Sequence, residues 1–259
     1  MCRHRRGAGE RCGFRPSFCL QGYAVALLAR TAELTGKLAS SLPDARAYAC
    51  DVTDAGSIAR AFDALRRDLG EVEVLLYNAG SGLWGSIEEA TAADFEAAWR
   101  VNALGGFLAS KQVIPAMKRA GRGSIVFVGA TASRKAGARS ASFSSAKGAQ
   151  RSLAESMARA LGPAGIHVAL IVVDGVVDLP RTRERMLDKP DSFFVKPDDV
   201  AEIGFRLTQQ RPSAWSFAVR PAPASRSRCS LPQASGAAAL IRYQTSARRG
   251  TRRWAATAR

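Results

Sequence analysis

The sequence predicts a single-domain α/β protein in which helices cover both faces of a parallel sheet. Short apolar runs alternate with helical stretches between residues 22 and 220, and this alternation is the first observation behind the prediction. The second is length, because 259 residues can bury a large core. The third is composition, since 47% hydrophobic and 23% charged residues are ordinary for a globular protein. Strands and helices that alternate in this way are joined by right-handed crossovers, which place helices on both faces.

The strands are predicted from short runs rich in apolar and β-branched residues. Four runs are mostly apolar, as expected of strands buried in a parallel sheet. They are residues 23–29, 72–77, 124–128 and 166–173. Two further runs are less apolar and are expected to form outer strands. They are residues 45–50 and 214–219.

The helices are predicted between these strands, where apolar residues recur with helical spacing. The predicted helices are residues 32–42, 55–69, 92–119, 144–161 and 197–209. Asp54, Thr91 and Asp198 stand where three of them begin, and a side-chain oxygen there can accept hydrogen bonds from the first free N–H groups. The pattern shows no internal repeat.

The two ends of the chain differ from its body and carry most of the net charge of +16. Residues 1–20 contribute +4 and residues 221–259 contribute +8, so the 200 residues between them carry only +4. We therefore divide the chain into a basic segment 1–21, a domain 22–220 and an Arg/Ala/Ser-rich tail 221–259. Both ends are expected to be disordered. Two alternatives remain for these ends. They could be basic arms that bind nucleic acid or an acidic membrane surface, or they could be translated outside an ancestral reading frame.

Composition also excludes several classes of site. No apolar run approaches the ~18 residues that a membrane-spanning helix requires. The cysteines have neither C-x-x-C spacing nor a regular framework, and only His4 and His167 could join them, so we expect no metal site and reduced thiols in a cytoplasmic protein. The five cysteines are Cys2, Cys12, Cys19, Cys50 and Cys229.

The residues that follow the predicted strands are candidates for ligand binding, because ligands of open parallel sheets bind beyond the carboxyl ends of the strands. Arg30 follows the strand 23–29, and an arginine there can accommodate the 2′-phosphate of NADP(H); the alternative is a solvated arginine at a helix start. Asp51 follows the next strand and could accept a hydrogen bond from an adenine amino group. Asn78, Ala79 and Gly80 follow the third, where small residues allow close backbone approach and Asn78 can pin the loop.

An ordered set of motifs resembles the short-chain dehydrogenase/reductase family over roughly residues 22–220. The set is D-V-T-D from Asp51, Y-N-A-G ending at Gly80, V-N ending at Asn102, the strand S-I-V-F-V and then Lys147. The resemblance implies a Rossmann-type doubly wound sheet that binds NAD(H) or NADP(H), with NADP(H) favoured by Arg30. It also implies a small alcohol or carbonyl substrate and a homo-oligomer formed through the helices near 92–119 and 144–161.

The family's catalytic groups are only partly present. Lys147 matches the family's lysine and Asn102 its asparagine, but Phe143 occupies the tyrosine position and Ala130 the serine position. Loss of a general acid–base group typically lowers rates by ~10²–10⁴-fold. We expect an oxidoreductase of weak or lost activity, with Thr131 as the first substitute hydroxyl; the alternative is a non-catalytic subunit that binds nucleotide or forms oligomers. Other nearby hydroxyls are Ser133, Ser142, Ser144 and Ser145.

The glycine-rich turn of the family is degraded. Gly7 and Gly13 fit its outer glycines, but Arg11 replaces the middle one and no apolar run precedes it, so the family's first strand is expected to be missing or altered. Asp174 stands where the family has proline, before Gly175, and a lid is expected at residues 181–196. By the resemblance, the cofactor contacts would be Gly7, Gly13, Arg30, Asp51, Val52, Asn78, Ala79, Gly80, Lys147 and Gly175.

Overall fold

Parallel strands and covering helices follow one another along the described part of the chain. The computed structural model describes Phe18, residues 22–42 and residues 44–226. The strands are β1 Val25–Ala29, β2 Ala45–Ala49, β3 Val74–Tyr77, β4 Gly123–Ala130, β5 Ile166–Val173, β6 Val176–Val177, β7 Phe194–Val195 and β8 Ala218–Val219. The helices are α1 Ala32–Ala39, α2 Ala55–Leu69, α3 Ala92–Trp99, α4 Gly105–Ala120, α5 Ala141–Leu161, α6 Pro180–Arg185 and α7 Pro197–Thr208.

The main sheet is formed by four parallel strands in the order β3-β4-β5-β8, and β1 pairs in parallel with β2 as a separate two-stranded sheet. The register of the two central strands runs from Gly123 opposite Ile166 to Ala130 opposite Val173. All eight residues of β5 are buried, which explains why seven of them are apolar and His167 is the exception. The predicted α/β fold with a parallel sheet is confirmed.

Alternate residues of the central strands point into two cores, one on each face of the sheet. On one face, Phe127 and Leu170 pack with residues of α2, α4 and α5. On the other face, Val126 and Ile171 pack with residues of α7, including Leu207. A strand presents successive side chains to opposite faces, so the two cores place helices on both sides of one sheet.

Within the described residues, the sheet is divided between β1 and β3. Each of these strands pairs with one neighbour only, β1 with β2 and β3 with β4. Both strands contribute half-buried side chains to the same core, Val25 from β1 and Val74 from β3. The family places its first strand at this position, and the residues expected to correspond to it, 2–6, lie outside the described part of the chain, as does most of the tail 221–259.

The helices differ from the predictions at two places described here. Helix 92–119 is interrupted by a π-helical turn, Arg100–Leu104. The predicted cap at Asp198 is wrong, because Lys196 is the N-cap residue of α7 and Asp198 lies in its first turn. Asp54 and Thr91 do cap their helices, with side chains that accept hydrogen bonds from backbone N–H groups. None of the described helices is long and apolar enough to cross a membrane.

Candidate functional site

The candidate residues of the sequence gather at one edge of the sheet because every paired strand is parallel. Asp51 follows β2, Asn78 follows β3, Thr131 follows β4 and Asp174 follows β5. Arg30 follows β1 in the same way. In parallel strands the carboxyl ends meet at the same edge, and this is where open α/β sheets bind ligands.

Asn102 lies in the π-helical turn and is completely buried, at 0% exposure. Its Nδ2 donates to the carbonyl of Ala98 at 2.9 Å and to that of Ser81 at 3.2 Å. Its Oδ1 is buried and has no hydrogen-bond partner in the structure. Wide helical turns of this kind frequently occur at functional sites, and an unpaired buried acceptor is costly, so this oxygen points to a ligand or water as its partner.

The π-helical turn is held against β3 by close packing. The Tyr77 hydroxyl donates to the carbonyl of Val101 inside the turn. Burial raises the pKa of Tyr77 well above its usual value, so the hydroxyl stays protonated and keeps this bond. Gly105 follows the turn at a position where a Cβ would contact the Tyr77 hydroxyl and would lie 2.7 Å from the Val52 carbonyl oxygen. Val52, which the family resemblance suggests as a cofactor contact, therefore contributes its carbonyl to this packing.

Lys147 projects from the second turn of α5 and is 6% exposed. Its Nζ donates to the carbonyl of Val128 at 2.9 Å and to Oε1 of Gln150 at 3.1 Å. Burial lowers the pKa of Lys147 from 10.5 to about 8, because the charged ammonium loses its hydration. An ammonium has three N–H groups, so one of them remains for a ligand.

Gly80 brings Asn102 and Lys147 into one small volume. An ideal Cβ on Gly80 would lie 3.4 Å from Asn102 Oδ1 and 3.7 Å from Lys147 Nζ. A spare donor and an unpaired acceptor therefore face the same loop at the carboxyl edge of β3. Gln150 is a member of this cluster that the sequence reasoning missed, although its position three residues after Lys147 places both on one helix face.

Phe143, at the tyrosine position, packs against Trp84 with ring centroids 4.9 Å apart. Trp84 is 65% exposed and belongs to a loop that is fastened to the start of α5. The fastening consists of a backbone bond from Gly85 N to the Arg139 carbonyl and an ion pair of 2.9 Å between Arg139 and Glu89. Phe143 thus presents an apolar ring and no proton donor, and nothing in the sequence identified Trp84 as its partner.

The serine position, Ala130, ends β4, and Thr131 begins the 3₁₀ turn that follows. The Thr131 hydroxyl lies 2.9 Å from Asp174 Oδ1 and 3.2 Å from the Val173 carbonyl oxygen. Asp174 in turn forms ion pairs with Arg220 at 3.6 Å and with Arg226 at 4.0 Å. Beside it, Gly175 leaves no room for a side chain, since its Cβ would lie 2.7 Å from Val195.

The residues expected to bind the adenosine end are mostly at the surface. Arg30 is exposed and lies close enough to Asp51 to contribute to lowering its pKa, although hydrogen bonds from the Thr53 backbone and side chain are the larger causes. Asn78 is exposed, and the loop-pinning role expected of it stays a prediction. Ala79 packs, partly buried, on the core. Gly7 and Gly13 lie outside the described residues.

The predicted lid, residues 181–196, contains α6 and β7 and is fixed by ionic contacts. Arg183 pairs with both oxygens of Asp178, at 2.6 and 2.9 Å, and with Asp191 at 2.7 Å. The hydrogen bond from Arg183, assisted by Lys196, holds the pKa of Asp178 well below its usual range. The Arg183 guanidinium also stacks over the ring of Phe194 at 4.0 Å. These ion pairs tie the segment to Asp178, the residue that follows β6.

Comparison with known proteins identifies a family and several relatives. A family model described as short chain dehydrogenase matches residues 14–189, so Gly7 and Gly13 precede the match. 2-(S)-hydroxypropyl-CoM dehydrogenase 3 of Xanthobacter autotrophicus is 29% identical over 222 residues, which are 79% of this chain and 87% of that protein. A protein of the same organism, named inactive 2-(S)-hydroxypropyl-CoM dehydrogenase 2, is 31% identical over 200 residues, 72% of this chain and 87% of its own. The solved structure of a metagenomic short-chain oxidoreductase in complex with NADP is 25% identical and has a TM-score of 0.68, covering 81% of this chain and 90% of that chain.

Proposed function

Because the chain belongs to the short-chain dehydrogenase/reductase family, we propose that it is an NADP(H)-dependent oxidoreductase that acts weakly on a small alcohol or carbonyl compound. The observation that carries the proposal is the pairing of Lys147 and Asn102 at Gly80. A buried ammonium with one N–H to spare and a buried, unpaired carboxamide oxygen face the same loop beyond the sheet. Such groups fit the hydroxyls of a ribose, which both donate and accept hydrogen bonds.

The residues fit a nicotinamide nucleotide at its ribose and fit poorly at the proton-transfer position. The cofactor, when bound, supplies hydride chemistry, and the protein supplies orientation and proton transfer. Lys147 would hold the ribose, while Asn102 keeps its carboxamide beside the same Gly80 loop. Phe143 and Ala130 carry no hydroxyl, so the acid–base assistance worth ~10²–10⁴-fold in rate is lost at the usual positions. Weak turnover is the expected result.

The preference for NADP(H) over NAD(H) rests on Arg30. Its side chain is exposed at the carboxyl end of β1, beside Asp51. A guanidinium there suits a 2′-phosphate, whereas an acidic residue would repel it. The solved oxidoreductase structure in complex with NADP is consistent with this preference. A cytoplasmic location is part of the same proposal, since the cysteine spacing provides no disulfide framework.

A homo-oligomer is proposed on the exposed aromatic residues of α3 and α4. Phe95, Trp99 and Phe107 are 45%, 41% and 44% exposed, and Phe95 and Trp99 lie one helical turn apart. Large exposed aromatic side chains on adjoining helices are typical of contact surfaces between subunits. The face lies in the segment that family resemblance assigned to the subunit contact.

The second candidate function is a subunit that binds nucleotide without catalysis. The Phe143–Trp84 contact favours it, because an apolar pair occupies the place of the proton donor. The relative named as inactive shows that a dehydrogenase-like protein without activity has a sequence similar to this one. The two functions differ in turnover and agree in cofactor binding, so binding and turnover must be measured separately.

Binding is tested by thermal unfolding of the full chain with NADPH and with NADH. A ligand at ~100 times its dissociation constant adds about 2.7 kcal/mol, which corresponds to roughly 5–10 °C for a domain of this size. We expect NADPH to give the larger shift and Arg30→Ala to remove the difference, while Arg67→Ala on the far helix α2 leaves it in place. If neither nucleotide raises the midpoint temperature of unfolding, cofactor binding is contradicted altogether.

Turnover is tested by restoring the two missing hydroxyls with Phe143→Tyr and Ala130→Ser. If the scaffold holds NADPH productively, the double variant should reduce carbonyl compounds ~10²–10⁴-fold faster than the natural chain. A folded double variant that binds NADPH and gains no turnover with any alcohol or carbonyl compound would favour the non-catalytic subunit.

A further inference from the structure

The hydroxyl groups near the tyrosine position differ in what accepts their protons. Ser144 Oγ shares a hydrogen bond of 2.7 Å with Ser140 Oγ, and Ser145 lies on the exposed face of α5. Ser133 Oγ and Ser142 Oγ are buried and have no hydrogen-bond partner in the structure. Thr131 alone among these five has a carboxylate within hydrogen-bond distance. A hydroxyl becomes useful in proton transfer when an adjacent base can take its proton.

The position of Thr131 and Asp174 is fixed by the two central strands. Ala130 and Val173 are opposite each other in the register of β4 and β5, so the residues that follow them, Thr131 and Asp174, emerge side by side at the carboxyl edge. The Asp174 backbone N–H is also bound, to the Pro221 carbonyl oxygen at 2.9 Å. The pair is therefore held by the most buried part of the sheet, next to the serine position.

Two guanidinium groups lie beside Asp174. Its carboxylate oxygens lie 3.6 Å from an Arg220 nitrogen and 4.0 Å from an Arg226 nitrogen. The Thr131 hydroxyl donates its proton toward this carboxylate, so the Thr131 oxygen keeps its lone pairs for another donor. An oxygen placed in this way can accept a proton from a neighbouring hydroxyl.

We propose that Thr131 and Asp174 form a proton-transfer pair that takes the place of the missing phenol, and this inference rests on the proposed oxidoreductase function. As an alcohol is oxidised, its carbon–hydrogen bond breaks and hydride passes to the nicotinamide of NADP⁺. The substrate hydroxyl proton passes to the Thr131 oxygen, and the Thr131 proton passes to the Asp174 carboxylate, which becomes a neutral acid and later releases the proton to water. Asp174 acts through Thr131 and is a positioning residue.

The test compares Thr131→Val with Thr131→Ser, in the natural chain and in the Phe143→Tyr variant. NADPH formation from NADP⁺ and an excess of secondary alcohol is followed at a single turnover, so that a slow rate remains measurable. In the natural chain, Thr131→Val should lower kcat at least about 100-fold, and Thr131→Ser should retain it within about threefold. In the Phe143→Tyr variant, Thr131→Val should cost less than about threefold, because the phenol then moves the proton.

Asp174→Asn tests the second member. Asp174→Asn should lower kcat as much as Thr131→Val does and change KM less than about threefold. Thr131→Val combined with Asp174→Asn should lower kcat no further than either single variant, because both substitutions remove the same step. A purely structural contact would lower kcat equally in the natural chain and in the Phe143→Tyr variant. Thr208→Val, whose hydroxyl bonds the Phe205 carbonyl elsewhere in the fold, is the control for loss of a part-buried threonine.

Two further measurements are independent of turnover. Unfolding of the ligand-free protein should show non-additive destabilisation for Thr131→Val combined with Asp174→Asn, because one hydrogen bond joins them. NADPH affinity, measured by its fluorescence, should change less than about twofold in either variant. If Thr131→Val has the same effect in both backgrounds, or if the natural chain shows no turnover while its Phe143→Tyr variant does, the inference is overturned and the proposed function stands. If no variant binds NADPH, the proposed function fails and the inference fails with it.

Discussion

Replacing Lys147 with methionine should change the pH dependence of folding stability by an amount that the structure supplies. Burial lowers the pKa of Lys147 from 10.5 to about 8, so the folded protein holds this proton less tightly than the unfolded chain does. At ~1.4 kcal/mol for each tenfold change, the buried ammonium costs about 3 kcal/mol at pH 7. The cost is complete below the folded pKa and is relieved as pH rises toward 10.5, because the folded state then loses its proton first. About 2 kcal/mol of it should be relieved between pH 7 and pH 9.5.

Methionine carries no charge, so Lys147→Met is free of this cost at every pH. It also leaves the Val128 carbonyl and Gln150 Oε1 without their donor, and that loss is the same at both pH values. The unfolding free energy of Lys147→Met, relative to the natural chain, should therefore fall by about 2 kcal/mol from pH 7 to pH 9.5.

Urea unfolding of the ligand-free protein at both pH values measures this difference, since titration of all other groups cancels between the two proteins. Lys111→Met, at an exposed position of α4, controls for removal of one amine from the surface. A stability difference that stays constant between pH 7 and pH 9.5 would show that the Lys147 amine is not desolvated in the folded state, and the reasoning would be refuted.

Three further predictions concern stability. Gly105→Ala should destabilise the protein by about 1–3 kcal/mol, because the new Cβ would lie 2.7 Å from the Val52 carbonyl oxygen. Gly148→Ala, where a Cβ would have no heavy atom within 4 Å, should stabilise its helix by up to about 1 kcal/mol. Urea unfolding measures both changes. Asp54→Ala should cost about 1 kcal/mol by removing the cap of α2, while Asp54→Asn keeps an acceptor and should cost much less in the same assay. Burial lowers the pKa of His167 below 6.5, so stability is lost as pH falls through that value, and His167→Gln should show a shallower loss between pH 7 and pH 5 in thermal unfolding.

Several elements could be predicted because the residues that determine them are local. β5 and α2 have the bounds expected from the sequence. A mostly apolar run defines β5, and an N-cap residue followed by a helical apolar period defines α2, so both are determined by neighbouring residues in the chain. The interruption of helix 92–119 could not be predicted, because the π-helical turn depends on Tyr77 from another strand and on the close approach allowed by Gly105. Asp198 did not mark the first residue of α7, because acidic residues favour the first turn of a helix as well as its cap.

The candidate site shows the same division. Lys147, Asn102 and Gly80 could be selected from motifs, yet their convergence on one volume depends on three separate elements. The sequence excluded the usual acid–base pair, because Phe143 and Ala130 carry no hydroxyl. It could not show that Thr131 bonds Asp174, since that contact follows from the register of β4 and β5.

The sequence by itself determined the kinds of elements, their order, the family and the chemical groups present at each motif, because these depend on side-chain type and local spacing. Only the tertiary structure decided which groups meet, how deeply the Lys147 amine is buried, and which hydroxyl has a base beside it. Burial and pairing arise from contacts between residues far apart in the chain, such as Thr131 and Asp174, and a local pattern contains no information about them.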